Sequence, residues 1–486
     1  MTTMEMGTNP IQQETNHVIG IWEVNEDRLA SMHKKISEPP RLLSNAAGKP
    51  SCCIFRIPQS LLEINGKSYN PQILSIGPYH RGEPRLKMIE EHKWRYLGSL
   101  LSRTEAKGLT LNDYFKALEP LQAEARECYS ESINLSTDEF IEMMVLDGCF
   151  IIELFRKFGR LVKFEEYDPL VSMVWIISFL VRDLLRLENQ IPYFVLEVLF
   201  DLTTLPEHKD NGKTLSLLTL EFFNHHMQRP DHVIQNHQNL TEHKDNGKTL
   251  SLLTLEFFNH HMQRPDHVIQ NHQNLTGVHL LDLLRASVIP PGHDEPHRGN
   301  IIPTHTIHCV SKLRRAGIKL RPGEGESFLV IKFKRGVIEM PTITIDDFMS
   351  SFLLNCVAYE QCHKSCSKHI TTYATLLDCL VNTYKDVEYL CDRNIIENCF
   401  GNDGEVARFI NNLGKDVAFD MDRCYLAKLF NDVHHYYGNS WHVQWASFKY
   451  TYFDTPWSCI SAFAALILLI MTLLQTFYTV LGHYQT

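Results

Sequence analysis

From position 455 to 486 the chain carries no Asp, Glu, Lys or Arg, and the centre of this stretch reads ISAFAALILLIMTLLQTFYTVL. No other feature restricts the fold so strongly, because an apolar run of this length is satisfied only as a helix in lipid or deep in a protein core. As a helix, positions 457–481 would measure about 37 Å at about 1.5 Å per residue, enough to cross a hydrocarbon layer about 30 Å thick with some tilt. Trp457 at one end and Tyr478 and Tyr484 at the other stand where interfacial aromatics belong. Ser461, Thr472, Gln475 and Thr476 can return hydrogen bonds to their own helix or to a partner, so they are compatible with insertion. The expectation is a transmembrane helix over 455–482 with the lipid bilayer as its partner. A buried core helix is the alternative.

The opposite end is different. The first 45 residues are polar, contain Glu5 and Glu14, and lack an apolar core of signal-peptide length. Gly7 is not placed for myristoylation. This predicts a disordered N-terminal segment over 1–45, a helical domain over 46–450, and a tail-anchored, single-pass protein with its large body in the cytosol. Lys449 just before the span agrees with that orientation. The sequons at Asn134, Asn239 and Asn274 would then stay unglycosylated, and glycans on them would reverse the orientation. Hydrophobic residues make up 44% and charged residues 21%, which is ordinary globular usage and excludes a mostly disordered or coiled-coil chain. A net charge of -10 argues against nucleic acid as a partner and leaves room only for a local basic patch. Thirteen Cys are too sparse and irregular for a disulfide scaffold.

Residues 207–241 recur letter for letter as 242–276. Helical arrays also have periods near 34 residues, but their units diverge and at least three are needed to bury a continuous core. Two identical copies read as a recent duplication or a gene-model error. Ten of the 25 His come from it, so the His richness does not signal metal. Within a copy, Leu215, Leu218 and Phe222 share one helical face, and Arg229-Pro230-Asp231 should end the helix. One copy is expected in place and the other looped out.

The remainder reads mainly as helix, giving a mainly α fold: a large helical body, a small β-hairpin or sheet insertion, and one C-terminal transmembrane helix. Ser136-Thr137-Asp138-Glu139 forms a capping box ahead of FIEMMVLDGCFIIELFRKF, which finishes in Arg156 and Lys157. The 13 uncharged residues 169–181 are too few to span a bilayer and read as a buried helix. DLLRLENQIPYFVLEVLF continues the core with a break at Pro192. Two alternating runs, 328–334 and 337–345, flank Arg335-Gly336 and predict a hairpin or small sheet. A second helical block runs from 346 to about 448.

The chain contains no complete catalytic pattern of the common kinds. Gly66-Lys67, Gly212-Lys213 and Gly247-Lys248 resemble the end of a phosphate loop, but Leu61, Glu207 and Glu242 stand where its first glycine must be. The sequence holds no HExxH, GxSxG or GxGxxG pattern, and no cofactor is expected. Cys362, His363, Cys366 and His369 could supply zinc ligands at one-turn spacing, but no second Cys/His pair at finger distance completes the set. Asp147 and Glu153, within apolar helix, form either a catalytic couple or salt bridges with a neighbour such as Arg156. Glu188, Asn189 and Gln190 are read as satisfying a helix terminus. Gly77, Pro78, Tyr79, His80 and Arg81 form a Gly/Pro-bounded loop. Packing does not demand its polar side chains, so it is the candidate recognition loop.

CIFRIPQSLLEINGKSYNPQILSIGPYHRGEPRLKMIEEHKWRYL resembles the opening signature of the plant family named domain of unknown function 247. So do MMVLDGCFIIELF, DLLRLENQIPYFVLE, HLLDLLR, LLNCVAYEQC and YFDTPWSCISAFAALILL, in the expected order. The resemblance implies a mostly helical plant protein with one membrane-spanning segment at its C-terminus, and it carries no catalytic residues across. Some members are implicated as pollen-side determinants of grass self-incompatibility, which implies recognition. Two features depart from the pattern: the duplication, and Arg81 where a second His is more usual. The expected function is a membrane-anchored recognition or signalling protein with a protein partner. An unrecognised hydrolase using Asp147, Glu153 or Cys/His groups is the alternative.

Overall fold

The computed structural model describes residues 25–38, 40, 42–106, 108–159, 161–204, 214–225, 275–292, 307–418, 423–438 and 456–484. The N-terminal segment read as unstructured contains one helix, α1 (Glu26–Ser37). Asn25 caps its first turn, Glu26 and Asp27 face its positive end, and Lys34 and Lys35 its negative end.

The first half of the body is built around α6 (Thr137–Phe158). Its capping box forms as expected: the Ser136 hydroxyl accepts from the Glu139 amide, and the Glu139 carboxylate accepts from Ser136 N–H. Seventeen of its 22 residues are buried, so it behaves as a core helix hydrophobic all round, with neighbours on every side. Those neighbours are α3 (Lys87–Glu105), α4 (Leu111–Leu118), α5 (Gln122–Glu127), α9 (Tyr193–Thr203) and α10 (Leu215–His225). Each fully buried Leu, Ile or Phe, such as Phe150 or Ile151, contributes about 1.5–3 kcal/mol. Gly148 lets α9 approach closely, since a Cβ there would lie 2.5 Å from Leu199 Cδ1. In the first copy of the repeat, Leu215, Leu218 and Phe222 are buried on one face of α10, as their spacing requires. Apart from Leu275 and Thr276, the second copy lies outside the described residues, as does Arg229-Pro230-Asp231.

The apolar stretch 169–181 does not form a single helix. Asp168 caps α7 (Pro169–Ser172), Met173 is extended, and α8 (Val174–Asp183) restarts with Met173 and Trp175 about half exposed. Pro192 breaks the chain before α9, as the sequence predicts.

The second half centres on α13 (Asp347–Cys362), with 13 of its 16 residues buried. It packs against α2 (Gln59–Tyr69), α8, α11 (Leu280–Val288), α14 (His369–Leu380) and α16 (Asp403–Leu413). Beside it lie α12 (Val310–Arg315), α15 (Tyr384–Asp392) and α17 (Ala427–Gly438). The small sheet pairs β1 (Lys319–Pro322) parallel to β3 (Val337–Met340), and β2 (Lys332–Lys334) antiparallel to it. Arg335 and Gly336, both at positive φ, make the two-residue turn that a right-twisted hairpin demands. The predicted second run is split at Pro341, which has no amide to donate. Past it, β4 (Ile343–Ile345) leaves for a separate parallel pair with β5 (Ile396–Asn398). The last helix, α18 (Pro456–Tyr484), contains Ile460–Thr479, the one helix among the described residues that is long and apolar enough to cross a membrane.

Candidate functional site

The loop carrying Gly77 to Arg81 ends a strap, residues 70–82, laid over the N-terminal half of the body. The strap has little internal secondary structure, so its amides need outside acceptors once buried. Asp183, at the end of α8, takes three consecutive N–H groups, those of Gln72, Ile73 and Leu74, at 2.8–3.0 Å. Arg186 balances its charge from 2.8 Å. Asn189 accepts from Ile76 N–H at 2.7 Å and donates to the carbonyl of Leu74. Asp147 on α6 accepts from Gly77 N–H at 2.8 Å and is bridged by Lys93 Nζ at 2.6 Å. Lys93, itself fully buried, also donates to Ser75 O and Glu90. Gly77 sits at φ +72°, and a Cβ there would meet the Gln190 carbonyl oxygen at 2.5 Å. Only glycine fits.

Beyond Gly77 the loop turns outward. Tyr79 stacks its ring under the Arg56 guanidinium, 4.2 Å away, and its hydroxyl lies among Ile54 O, Ser130 Oγ and Glu131 N–H. Burial pushes its pKa up. His80 is 5% exposed, which corrects the expectation that its polarity has no packing purpose. Its Nδ1 bonds Glu83 Oε1 at 2.6 Å, and its Nε2 lies 3.1 Å from Glu188 Oε2, off the hydrogen-bond direction. Burial alone would raise the Glu188 pKa, but His80, the Ile57 amide and Arg56 together hold it below the usual carboxylate range. Arg81 is half-buried and reaches Glu142 at 3.4 Å. The side of the loop open to solvent therefore alternates in charge: Arg56, Glu131, Arg81, Glu142, Glu83 and Arg85 are each in contact with an opposite charge.

The acid candidates are not brought together. Asp147 pairs with Lys93, whereas Glu153 is held by both guanidinium nitrogens of Arg103, ten residues further along α3. Arg156, the neighbour expected to pair with them, instead donates to Thr203 and Thr204 hydroxyls. Among the described residues no group of three or more His, Cys, Asp and Glu is placed to hold a metal ion. His363 stacks on Tyr359 and its Nδ1 accepts from Cys366 N–H, which sets it as a turn residue. Gly66-Lys67-Ser68 closes α2, with Lys67 and Ser68 giving their carbonyls to Arg186 and Asn355.

A second buried cluster joins the two halves. His279 caps α11: its Nδ1 accepts from Asp282 N–H, so Nε2 carries the proton and faces Cys53 O at 3.1 Å. Burial pushes its pKa down to about 4. Arg285 bridges Asp282 and Glu360, and Glu360 also accepts from the first amides of α14, Ile370 and Thr371. Gln190 donates to Leu184 O and Arg186 O at the end of α8 and accepts from Leu281 N–H, so the helix-terminus reading of 188–190 holds in part. Those residues also tie down the strap and α11. Lys93, Arg103 and Glu360 were not singled out from sequence. The available signal is phase: Ile89, Lys93, Tyr96, Leu97, Leu100 and Thr104 fall on the buried face of one helix, and a charge there requires a partner.

A sequence model of DUF247, described as plant protein of unknown function, matches residues 54–471. The chain belongs to this family. It is 34% identical over 469 residues to UPF0481 protein At3g47200 of Arabidopsis thaliana, covering 92% of this chain and 90% of that protein. It is 24% identical over 487 residues to Putative UPF0481 protein At3g02645 of the same plant, covering 89% and 90%. No solved structure matches. The segments that carry the resemblance supply both buried clusters. The opening stretch supplies the strap and Lys93, MMVLDGC supplies Asp147, and DLLRLENQIP supplies Asp183 through Gln190. HLLDLLR supplies His279 and Arg285, and LLNCVAYEQC supplies Glu360 and Asn355, whose side chain accepts from Leu187 N–H. Their polar groups satisfy backbone that the fold buries.

Proposed function

We propose that this family member is a membrane-anchored recognition protein, held by α18 and reading a protein partner through the charged surface around Arg81. The observation that carries the anchor is exposure: none of the span Ile460–Thr479 is buried, and every described side chain in it except the half-buried Ala462 is exposed. Roughly a dozen large apolar side chains facing water would forfeit tens of kcal/mol at about 1.5–3 kcal/mol each, and lipid removes that cost. The hydroxyls of Ser461, Thr472, Thr476 and Thr479 are bonded to carbonyls one turn back, as a helix in lipid requires. Trp457 and Tyr478 fit the two interfaces. A cytosolic body agrees with Cys52, Cys53 and Cys128, which lie together as free thiols. Recognition is favoured over turnover because Asp147 and Glu153 are engaged with separate cations, Lys93 and Arg103, and Asp147 also with the Gly77 amide.

The test is proximity labelling from an N-terminally tagged full-length chain in plant cells, beside Arg81→Glu. The expected result is a defined set of neighbours for the parent that is lost in the variant while both stay in the membrane fraction. An unchanged set of neighbours, together with turnover of a substrate by the purified chain, would overturn the reading.

A further inference from the structure

The chain carries a net charge of -10, yet the outer face of its three-stranded sheet runs the other way. Register puts Lys319, Val337 and Lys334 in one row across β1, β3 and β2, and Arg321, Glu339 and Lys332 in the next. Directly paired residues share a side of the sheet, so all six lie on one face. The four cations and Glu339 are exposed, whereas Leu320 and Ile338 on the reverse face are buried. Arg335, exposed in the hairpin turn, adds a fifth cation. None of the five forms an ion pair among the described residues. Glu324 and Glu326 lie in the β1–β2 connection, outside the two rows.

Position gives this face its occupant. Tyr436 of α17 packs against Phe333, with ring centroids 5.9 Å apart, and against Gly336 in the hairpin turn. From Gly438, where α17 ends, the chain has only residues 439–455 before α18 starts at Pro456, a reach of at most about 60 Å fully extended. The sheet is thus on the part of the body leashed to the span. We propose that this basic face docks on the anionic surface of the bilayer that α18 enters, fixing the orientation of the body above the membrane. The inference rests on the membrane-anchored reading. Charge complementarity supplies the attraction, since a cytoplasmic leaflet carries anionic headgroups and each cation near it shifts the docked population roughly five-fold.

The test uses the full chain reconstituted in vesicles of phosphatidylcholine alone or with about 30% phosphatidylserine, an anionic surface of the required kind. Lysine acylation rates are read residue by residue by mass spectrometry, with sedimentation as a separate readout. Lys319, Lys332 and Lys334 are expected to react at least roughly five-fold more slowly on the anionic vesicles. High salt should abolish that protection, and exposed Lys116 on α4 should react equally on both. Arg321→Glu with Arg335→Glu should cut the protection of Lys332. Equal rates on both vesicles, with the chain still sedimenting, would overturn the docking alone and point to an acidic protein as the occupant. A chain that sediments with neither vesicle would overturn docking and anchor together.

Discussion

Lys93 is the most consequential single side chain in the buried network, because one ammonium group serves Asp147, Glu90 and the Ser75 carbonyl at 1% exposure. Removing a buried cation strands its carboxylate, at a cost of about 3–5 kcal/mol. Lys93→Met should therefore lower the free energy of unfolding by that amount, read from urea denaturation curves. Adding Asp147→Asn should recover part of it, since Asn still accepts from Gly77 N–H and carries no charge to strand. His279 sets a pH dependence of opposite character. Its folded pKa of about 4 lies below the unfolded value of 6.5, so between those limits the unfolded chain binds the extra proton. Its contribution is full above about pH 6.5 and is lost as pH falls toward 4, about 3 kcal/mol in all. Asp346, pushed up to about 7 by burial, acts in the opposite sense, so the histidine is isolated by difference. Parent and His279→Gln should differ in stability at pH 7 and converge near pH 4. A constant difference across that range would show that the ring is not the titrating group.

At the scale of elements, two helical glycines separate packing from propensity. Gly148 faces Leu199 across the α6–α9 contact, and Gly98 on α3 has nothing within 4 Å of where a Cβ would stand. Gly148→Ala should cost about 1–3 kcal/mol by overpacking, while Gly98→Ala should gain about 0.5–1 kcal/mol from helix propensity, each read as a shift in thermal midpoint. The same contrast explains what was legible in the sequence. The capping box of α6, the break at Pro192, the buried face of α10 and the Arg335-Gly336 turn are local, and their residue types state the geometry directly. The split at Met173 and the departure of β4 to pair with β5 depend on partners far along the chain. The burial of His80 was hidden for that reason too, since its carboxylate partner Glu188 is over a hundred residues away. Lys319 and Arg321 could not be seen as part of one basic face until β1 was known to pair parallel to β3.

For the whole molecule, the polar residues of the two buried clusters are absorbed into holding the strap and joining the two halves of the body. The surfaces proposed above to act are the alternating charges around Arg81, the basic sheet face and the exposed apolar length of α18. The body's polar residues are thus divided between buried groups that satisfy backbone and exposed groups left to solvent. If that division is right, the terminal helix is what places the surfaces at a bilayer. The most direct measurement is alkaline carbonate extraction of plant membranes expressing the full-length chain or one lacking residues 456–484. The full-length chain should remain in the pellet, and the shortened one should appear in the supernatant, folded by its resistance to limited proteolysis. A full-length chain released by carbonate as a soluble monomer would contradict the account.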